Sequence, residues 1–302
     1  MLNKLLVPLD GSELAERSLL YVKELAAGFN SEIQLIFVDD VRHDATHRHL
    51  HEMYMDEISQ QLRDQVSQTG SKSTIKVVTR DGEAASEVIT YADENNVDLV
   101  VITSHGSTGI MPWTMGGVAS KLVQHADFPI LLIRSNGIKP KYWPVRNFSS
   151  ILVPLDGSEI SESVIPHVKE IAQVLKSGVI LMRVVEPVLH VRTIGGPDHF
   201  AYTDQQVGEM KLEATEYLNK LSLEFSGTGS SISTELRVGN AANEIIKFAA
   251  DSKIRLIAMS SHGKSGVSKW VLGSVSDKVV HAGKTSILLI KHKIHLKENF
   301  DS

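Results

Sequence analysis

Short apolar runs alternate with amphipathic stretches along the whole chain. In the first half, Lys4–Leu9, Ile33–Val38, Thr74–Thr79, Leu99–Thr103 and Ile130–Ile133 are rich in β-branched residues and nearly continuous in apolar ones. That is the pattern of strands covered on both faces. Between them, Ser12 to Ala27 places Leu14, Leu19, Val22, Leu25 and Ala26 on one side of a helix, and Ala84–Glu94 and Val118–His125 behave alike. The second half repeats the order, with strands expected at Ser150–Leu155, Gly178–Val185, Ser231–Val238, Arg255–Ser260 and Ser286–Ile290. Strand–helix alternation of this kind predicts an α/β fold with parallel sheets and right-handed crossovers.

The repetition extends to identical residues. Leu6-Val7-Pro8-Leu9-Asp10-Gly11-Ser12-Glu13 returns 146 residues later as Leu152 to Glu159, and Ser104-His105-Gly106 returns 157 residues later as Ser261-His262-Gly263. The chain is therefore an internal duplication, each copy the size of one domain. The division expected is 1–135, a linker over 136–149, 150–292, and a polar tail over 293–302. Tyr142 and Trp143 in the linker are expected to pack onto a domain. The two spacings differ by 11 residues, which the second copy gains between its second strand and Gly239. That insertion includes Thr193-Ile194-Gly195-Gly196-Pro197-Asp198, which reads as a loop.

Composition narrows the classes. The 302 residues are 42% hydrophobic, enough to bury two full cores. No stretch approaches the roughly 18 apolar residues of a membrane span, and no basic leader opens the chain. Cysteine is absent, which excludes disulfides and thiol chemistry and fits the cytosol. Residues 1–135 carry 11 Lys+Arg against 19 Asp+Glu, a net of −8, and residues 136–302 carry 20 against 17, a net of +3. Solvated helix faces account for most of this difference, though the second half is the better host for an anion. No basic run suggests nucleic acid.

The candidate chemistry lies between the fourth strand and the last helix of the second copy. Met259-Ser260-Ser261-His262-Gly263 is followed, after nine residues, by Gly273-Ser274-Val275. A strand ends, a glycine lets backbone approach a ligand, and a helix N-terminus presents free amides to an anion. Ser274 adds a hydroxyl. The plain alternative is a glycine-rich turn before a helix.

Together with Val-Pro-Leu-Asp-Gly-Ser on the first strand, this spacing resembles the universal stress proteins, in both copies and hence over nearly the whole chain. The resemblance implies two five-stranded parallel sheets of order 3-2-1-4-5 with helices on both faces. It implies pairing of the two copies through edge strands at Asp127–Arg134 and Thr285–Lys291, an internal pseudo-dimer; a homodimer of chains stays open. Many members of the family bind ATP, here expected with Mg²⁺. Carried over by position, Pro154, Leu155 and Asp156 end the first strand of the second copy, and Val184 presents backbone to the adenine. Met259 and Ser260 line the nucleoside, and His262, Gly263, Gly273, Ser274 and Val275 surround the phosphates. Ser260 departs from the family pattern, which has glycine there, and its Cβ narrows the approach of the ribose.

The first copy departs further. Asp10, Val38, Gly106 and Gly116 keep the pattern, but Gly117 replaces the serine and the loop has no lysine. The second copy is therefore expected to be the stronger site. Other signals are weaker. Ala282-Gly283-Lys284-Thr285 imitates the end of a P-loop but precedes a strand. Ser-His pairs on an extended backbone are expected to point apart. His43, His47 and His51 would share one helix face and could ligate a metal, but a solvated helix explains them as well. The leading function is ATP binding by a cytosolic stress-response module, used as a signal rather than for fast catalysis. A nucleotide-independent interaction module and a slow ATPase or phosphotransferase are the alternatives.

Overall fold

The computed structural model describes residues 2–39, 45–105, 115–134, 146–193, 196–263 and 272–291. Of these, residues 45–47, 188–193 and 196–201 are described by their backbone alone. The first copy runs β1 (Lys4–Leu9), α1 (Glu13–Glu16), α2 (Ser18–Phe29), β2 (Glu32–Asp39), α3 (Ala45–Ser67), β3 (Thr74–Asp81), α4 (Ala84–Glu94), β4 (Leu99–Thr103), α5 (Gly117–His125) and β5 (Ile130–Ile133). The second runs β6 (Ser150–Leu155), α6 (Glu159–Glu162), α7 (Ile165–Leu175), β7 (Gly178–Val185), β8 (Val188–Thr193), β9 (Gly196–Ala201), α8 (Asp204–Leu223), β10 (Ile232–Val238), α9 (Ala241–Asp251), β11 (Leu256–Ser260), α10 (Ser274–Ala282) and β12 (Ser286–Ile290).

The main strands form one ten-stranded sheet in the order β10-β7-β6-β11-β12-β5-β4-β1-β2-β3. Each copy has the order 3-2-1-4-5 that the resemblance implied, with parallel pairing throughout. The copies join where β12 and β5 pair antiparallel, with Ile287 opposite Leu132 and Leu289 opposite Ile130. Each edge strand thereby satisfies the backbone groups the other would expose.

The apolar residues separate by sheet face rather than by copy. Leu5, Val7 and Leu9 share one core with Ile151, Val153 and Leu155, under α2, α3, α7 and α8. Leu6 shares the other with Leu152, under α4, α5, α9 and α10. Alternation along the strands sends successive residues to opposite faces. At the junction, Leu131 and Leu288 belong to the first core and Ile130, Leu132, Ile287 and Leu289 to the second. Two cores are present, but each runs through both copies.

The helix read over Ser12 to Ala27 is broken. Ser12 caps α1 by accepting from the Ala15 amide, and a new helix starts at Ser18. Of the Thr193–Asp198 segment expected to be a loop, Thr193 and Gly196–Asp198 belong to the antiparallel pair β8–β9, with Val188 opposite Ala201 and Thr193 opposite Gly196, and Ile194 and Gly195 lie outside the described residues. The Gly-Gly and Pro that suggested a loop are flanked by Val188, Leu189 and Val191, which favour a strand pair. In the linker, Tyr142 and Trp143 lie outside the described residues. Phe148 is buried and meets the Tyr21 ring edge-on at 5.7 Å, while Glu24 accepts from the amides of Asn147 and Phe148.

Candidate functional site

The strand order fixes where a cleft opens. β6 has neighbours on both sides, β7 reached through one crossover and β11 through another. Chains leave the C-terminal ends of these strands in opposite directions, and open α/β sheets bind ligands at such a switch point. A cavity of about 600 Å³ lies there. Pro154, Leu155 and Asp156 from β6 and its end, Val184 from β7, Met259 and Ser260 from β11, His262 and Gly263 beyond it, and Gly273, Ser274 and Val275 at the start of α10 all line it. The eleven positions carried over for the second copy therefore converge on one space.

Local hydrogen bonds shape this wall. Asp156 Oδ1 accepts from the amide and hydroxyl of Ser158, at 3.0 and 2.5 Å, and Ser158 Oγ accepts from the Ser161 amide to cap α6. Gly157 between them has φ +77°, a conformation glycine adopts freely. A Cβ on Gly263 would overlap Asp156 Oδ2, so only glycine lets the loop pass this close to the carboxylate. A Cβ on Gly273 would meet only ordinary contacts, the nearest being Ser261 O at 3.4 Å.

Ser260 has a local role. Its hydroxyl donates to the His262 carbonyl, and its own carbonyl accepts from Ser276 Oγ at 2.9 Å. Thr103 repeats the first bond in the other copy, donating to His105 O at 2.8 Å. Ser260 and Thr103 thus tie the two loops back on themselves in the same way.

The expectation that serine and histidine point apart is corrected. Ser261 Oγ lies 2.9 Å from His262 Nδ1, and Ser104 Oγ lies 3.0 Å from His105 Nδ1. Both pairs lie just past a strand end, β11 at Ser260 and β4 at Thr103, where the strict alternation of side chains no longer applies. Ser261 is buried and does not line the cavity, while Nε2 of His262 is buried without a hydrogen-bond partner among the described residues.

Helix starts differ in how they are capped: besides α2 and α7, which follow directly on α1 and α6, the helices without a side-chain cap are α5 and α10 among the described starts. Ser12, Glu83, Ser158, Thr203 and Asn240 accept from the first turns of α1, α4, α6, α8 and α9. α5 and α10 open on Gly116 and Gly273 with no side-chain acceptor. Their first amides stay available to an external anion.

Sequence reasoning missed Arg183, Tyr202, Glu186 and Tyr217, which also line the cavity. Arg183 Nη1 donates to Leu155 O at 3.2 Å, and its guanidinium lies 5.9 Å from the centre of the Tyr217 ring. Burial pulls the Arg183 pKa down, and Asp156 opposes the shift. Tyr217 donates to Glu162 at 2.8 Å, and burial, reinforced by Glu162, raises its pKa. The signal available was that the 146-residue offset sets Arg183 opposite Phe37 in an apolar strand.

In the first copy, Asp10 Oδ1 accepts from Ser12 just as Asp156 does from Ser158, and the Gly116 amide donates to Ser104 O at 2.8 Å. Val38 lies on β2 and Gly117 opens α5. Gly106 lies outside the described residues. Phe37 packs against the His51 ring at 4.3 Å. Of the histidines weighed for a metal, His43 and the His47 side chain lie outside the described residues. His51 Nδ1 sits 3.5 Å from Asp39. Among the described residues no group of three metal-ligating side chains comes together. No described helix is long and apolar enough to cross a membrane.

Known proteins agree with this architecture. A universal stress protein of Methanocaldococcus jannaschii is 30% identical over 146 residues, 48% of this chain and 82% of that relative. One of Mycobacterium bovis is 27% identical over 201 residues, 65% of this chain and 63% of the relative. The crystal structure of a universal stress protein from Archaeoglobus fulgidus superposes with a TM-score of 0.67 at 17% identity, covering 96% of this chain and 99% of that one. The model of the universal stress protein family matches residues 1–134 and again 147–291, and the chain belongs to that family.

Proposed function

We propose that the second copy binds ATP, with Mg²⁺ accompanying the phosphates, and that occupancy acts as a signal in a cytosolic stress response. The observation that carries this reading is the convergence of Asp156, Val184, Ser260, Gly263, Gly273 and Ser274 on one cavity. Its volume lies within the range of small-molecule sites. Backbone at Val184 and the Met259 side chain suit the flat base. The Gly273 turn and the uncapped start of α10 suit the phosphates. Ser274 Oγ supplies a donor, and His262, whose buried Nε2 has no partner among the described residues, lines the same cavity. A nucleotide preferring one conformation shifts the population and the surface offered to a partner.

Mass identification of any nucleotide copurifying with the full chain, followed by calorimetric titration with Mg·ATP, tests the reading. Ser274→Ala is expected to weaken ATP about tenfold or more, as loss of a hydrogen bond to a charged group does. No binding of any adenine nucleotide at millimolar concentration would leave the nucleotide-independent interaction module in its place.

A further inference from the structure

A second cavity, of about 830 Å³, lies between the two copies. It is bounded by α2, the end of β5, α9 and the loop from α10 to β12. Its walls include Tyr21, Ile133 and Ile257, and its charged lining is one-sided. Arg17, Arg134, Lys247, Lys253, Arg255 and Lys284 face it against one carboxylate, Asp251, among the described residues.

Arg134 is the informative member. Its Nε and Nη2 are buried and make no hydrogen bond among the described residues. Burial without a compensating partner pulls its pKa down to about 10. Arginine seldom tolerates this, because its planar fork needs acceptors once water is removed.

The duplication supplies the control. The counterpart of Arg134, 157 positions on, is Lys291. Lys291 has partners: Nζ donates to the Val123 carbonyl, and the Asp127 charge offsets part of its burial. The residue matching Asp127 is Lys284. Where one copy sets an acid beside the buried cation, the other sets a second cation. The same offset pairs Arg255 with Asp98, Lys253 with Asn96 and Lys247 with Thr90. The basic lining therefore belongs to one side of the pseudo-dimer and is not a by-product of the fold.

We propose that this cavity binds a small, multiply charged anion of the phosphate-ester class, with the Arg134 guanidinium as its central ligand. Cations arriving from α9, β5 and the α10–β12 loop surround a dianion from several directions. The arginine fork matches two of its oxygens. The cavity exceeds one phosphate, and Tyr21, Ile133 and Ile257 suit an organic body on the ester. The Gly283-Lys284 turn, set aside as a P-loop, contributes its lysine here instead. The site is separate from the ATP cavity and does not depend on that reading.

Calorimetry of the full chain with phenyl phosphate at low salt tests the proposal, with inorganic phosphate run beside it. Phenyl phosphate is expected to bind the wild type and to bind more tightly than inorganic phosphate. Arg134→Gln and Lys284→Asp, the latter restoring the acid of the other copy, are each expected to weaken it at least tenfold. Arg134→Gln is expected to melt no lower than the wild type, since it removes a buried charge that has no partner among the described residues. Equal affinity in all three proteins, or no binding to the wild type at millimolar concentration, would overturn it. Should Arg134→Gln unfold, Lys284→Asp decides alone.

Discussion

Gly263 and Asp156 are mutually exclusive with any larger loop residue: a Cβ on Gly263 would occupy the position of the Asp156 carboxylate oxygen Oδ2. Asp156 is also held by Ser158, which caps α6, so it cannot retreat without loosening that helix start. Gly263→Ala is expected to destabilise the protein by about 1–3 kcal/mol, the usual cost of overpacking, and to lower ATP affinity by more than Gly273→Ala. The Gly273 Cβ meets only ordinary contacts. Thermal melts and ATP titrations of the two variants check this, and a larger loss in Gly273→Ala would reverse the assignment.

The first copy lacks a hydroxyl at the start of its last helix, and nothing obstructs restoring it. A Cβ on Gly117 meets no heavy atom within 4 Å. Gly117→Ser is expected to fold normally and to raise ATP affinity at the first copy about tenfold, the worth of one hydrogen bond to a charged group. Titration in a Ser274→Ala background isolates that copy. Unchanged binding would mean that the first copy is limited elsewhere, with Phe37 standing where the second copy has Arg183.

Strand positions were legible because they are apolar on both faces, and β1, β4, β5, β6, β7 and β12 fall where the pattern set them. The eleven positions of the second copy came from the family resemblance, carried over one by one, with the glycine spacing marking Gly263 and Gly273, and they line one cavity. What stayed hidden depends on side chains from separate elements meeting. Arg183 reads as an interruption of an apolar strand until β7 is placed beside β6. The Ser261–His262 contact depends on the local conformation just past the strand end, which the apolar pattern does not set. The division of the core by face is also invisible, because it depends on the junction of β5 with β12, which apolarity alone does not orient.

Because both cores cross that junction, the copies are expected to unfold together. Leu131 and Leu288 are opposite each other in the β5–β12 pair and almost fully buried. Calorimetry of the wild type should show a single transition despite the duplication. Leu288→Ala should cost about 2–5 kcal/mol and lower that one transition rather than split it. Two separate transitions in the wild type would show that each copy folds on its own contacts.

Lys291 provides a pH signature for the junction. Burial depresses its pKa from 10.5 to about 8, although Asp127 pulls the other way. Between pH 8 and 10.5 the unfolded chain therefore holds a proton that the folded chain has released. Stability rises with pH wherever the unfolded state binds more protons. The contribution of Lys291 is thus least favourable below pH 8 and improves through that window. Lys291→Met removes the titration along with the hydrogen bond to Val123. The stability of the wild type relative to this variant should increase from pH 8 to 10.5 and stay flat from pH 6 to 7.5. Denaturant unfolding of both proteins across the range measures it, and a difference independent of pH would mean that the ammonium group is solvated in the folded state.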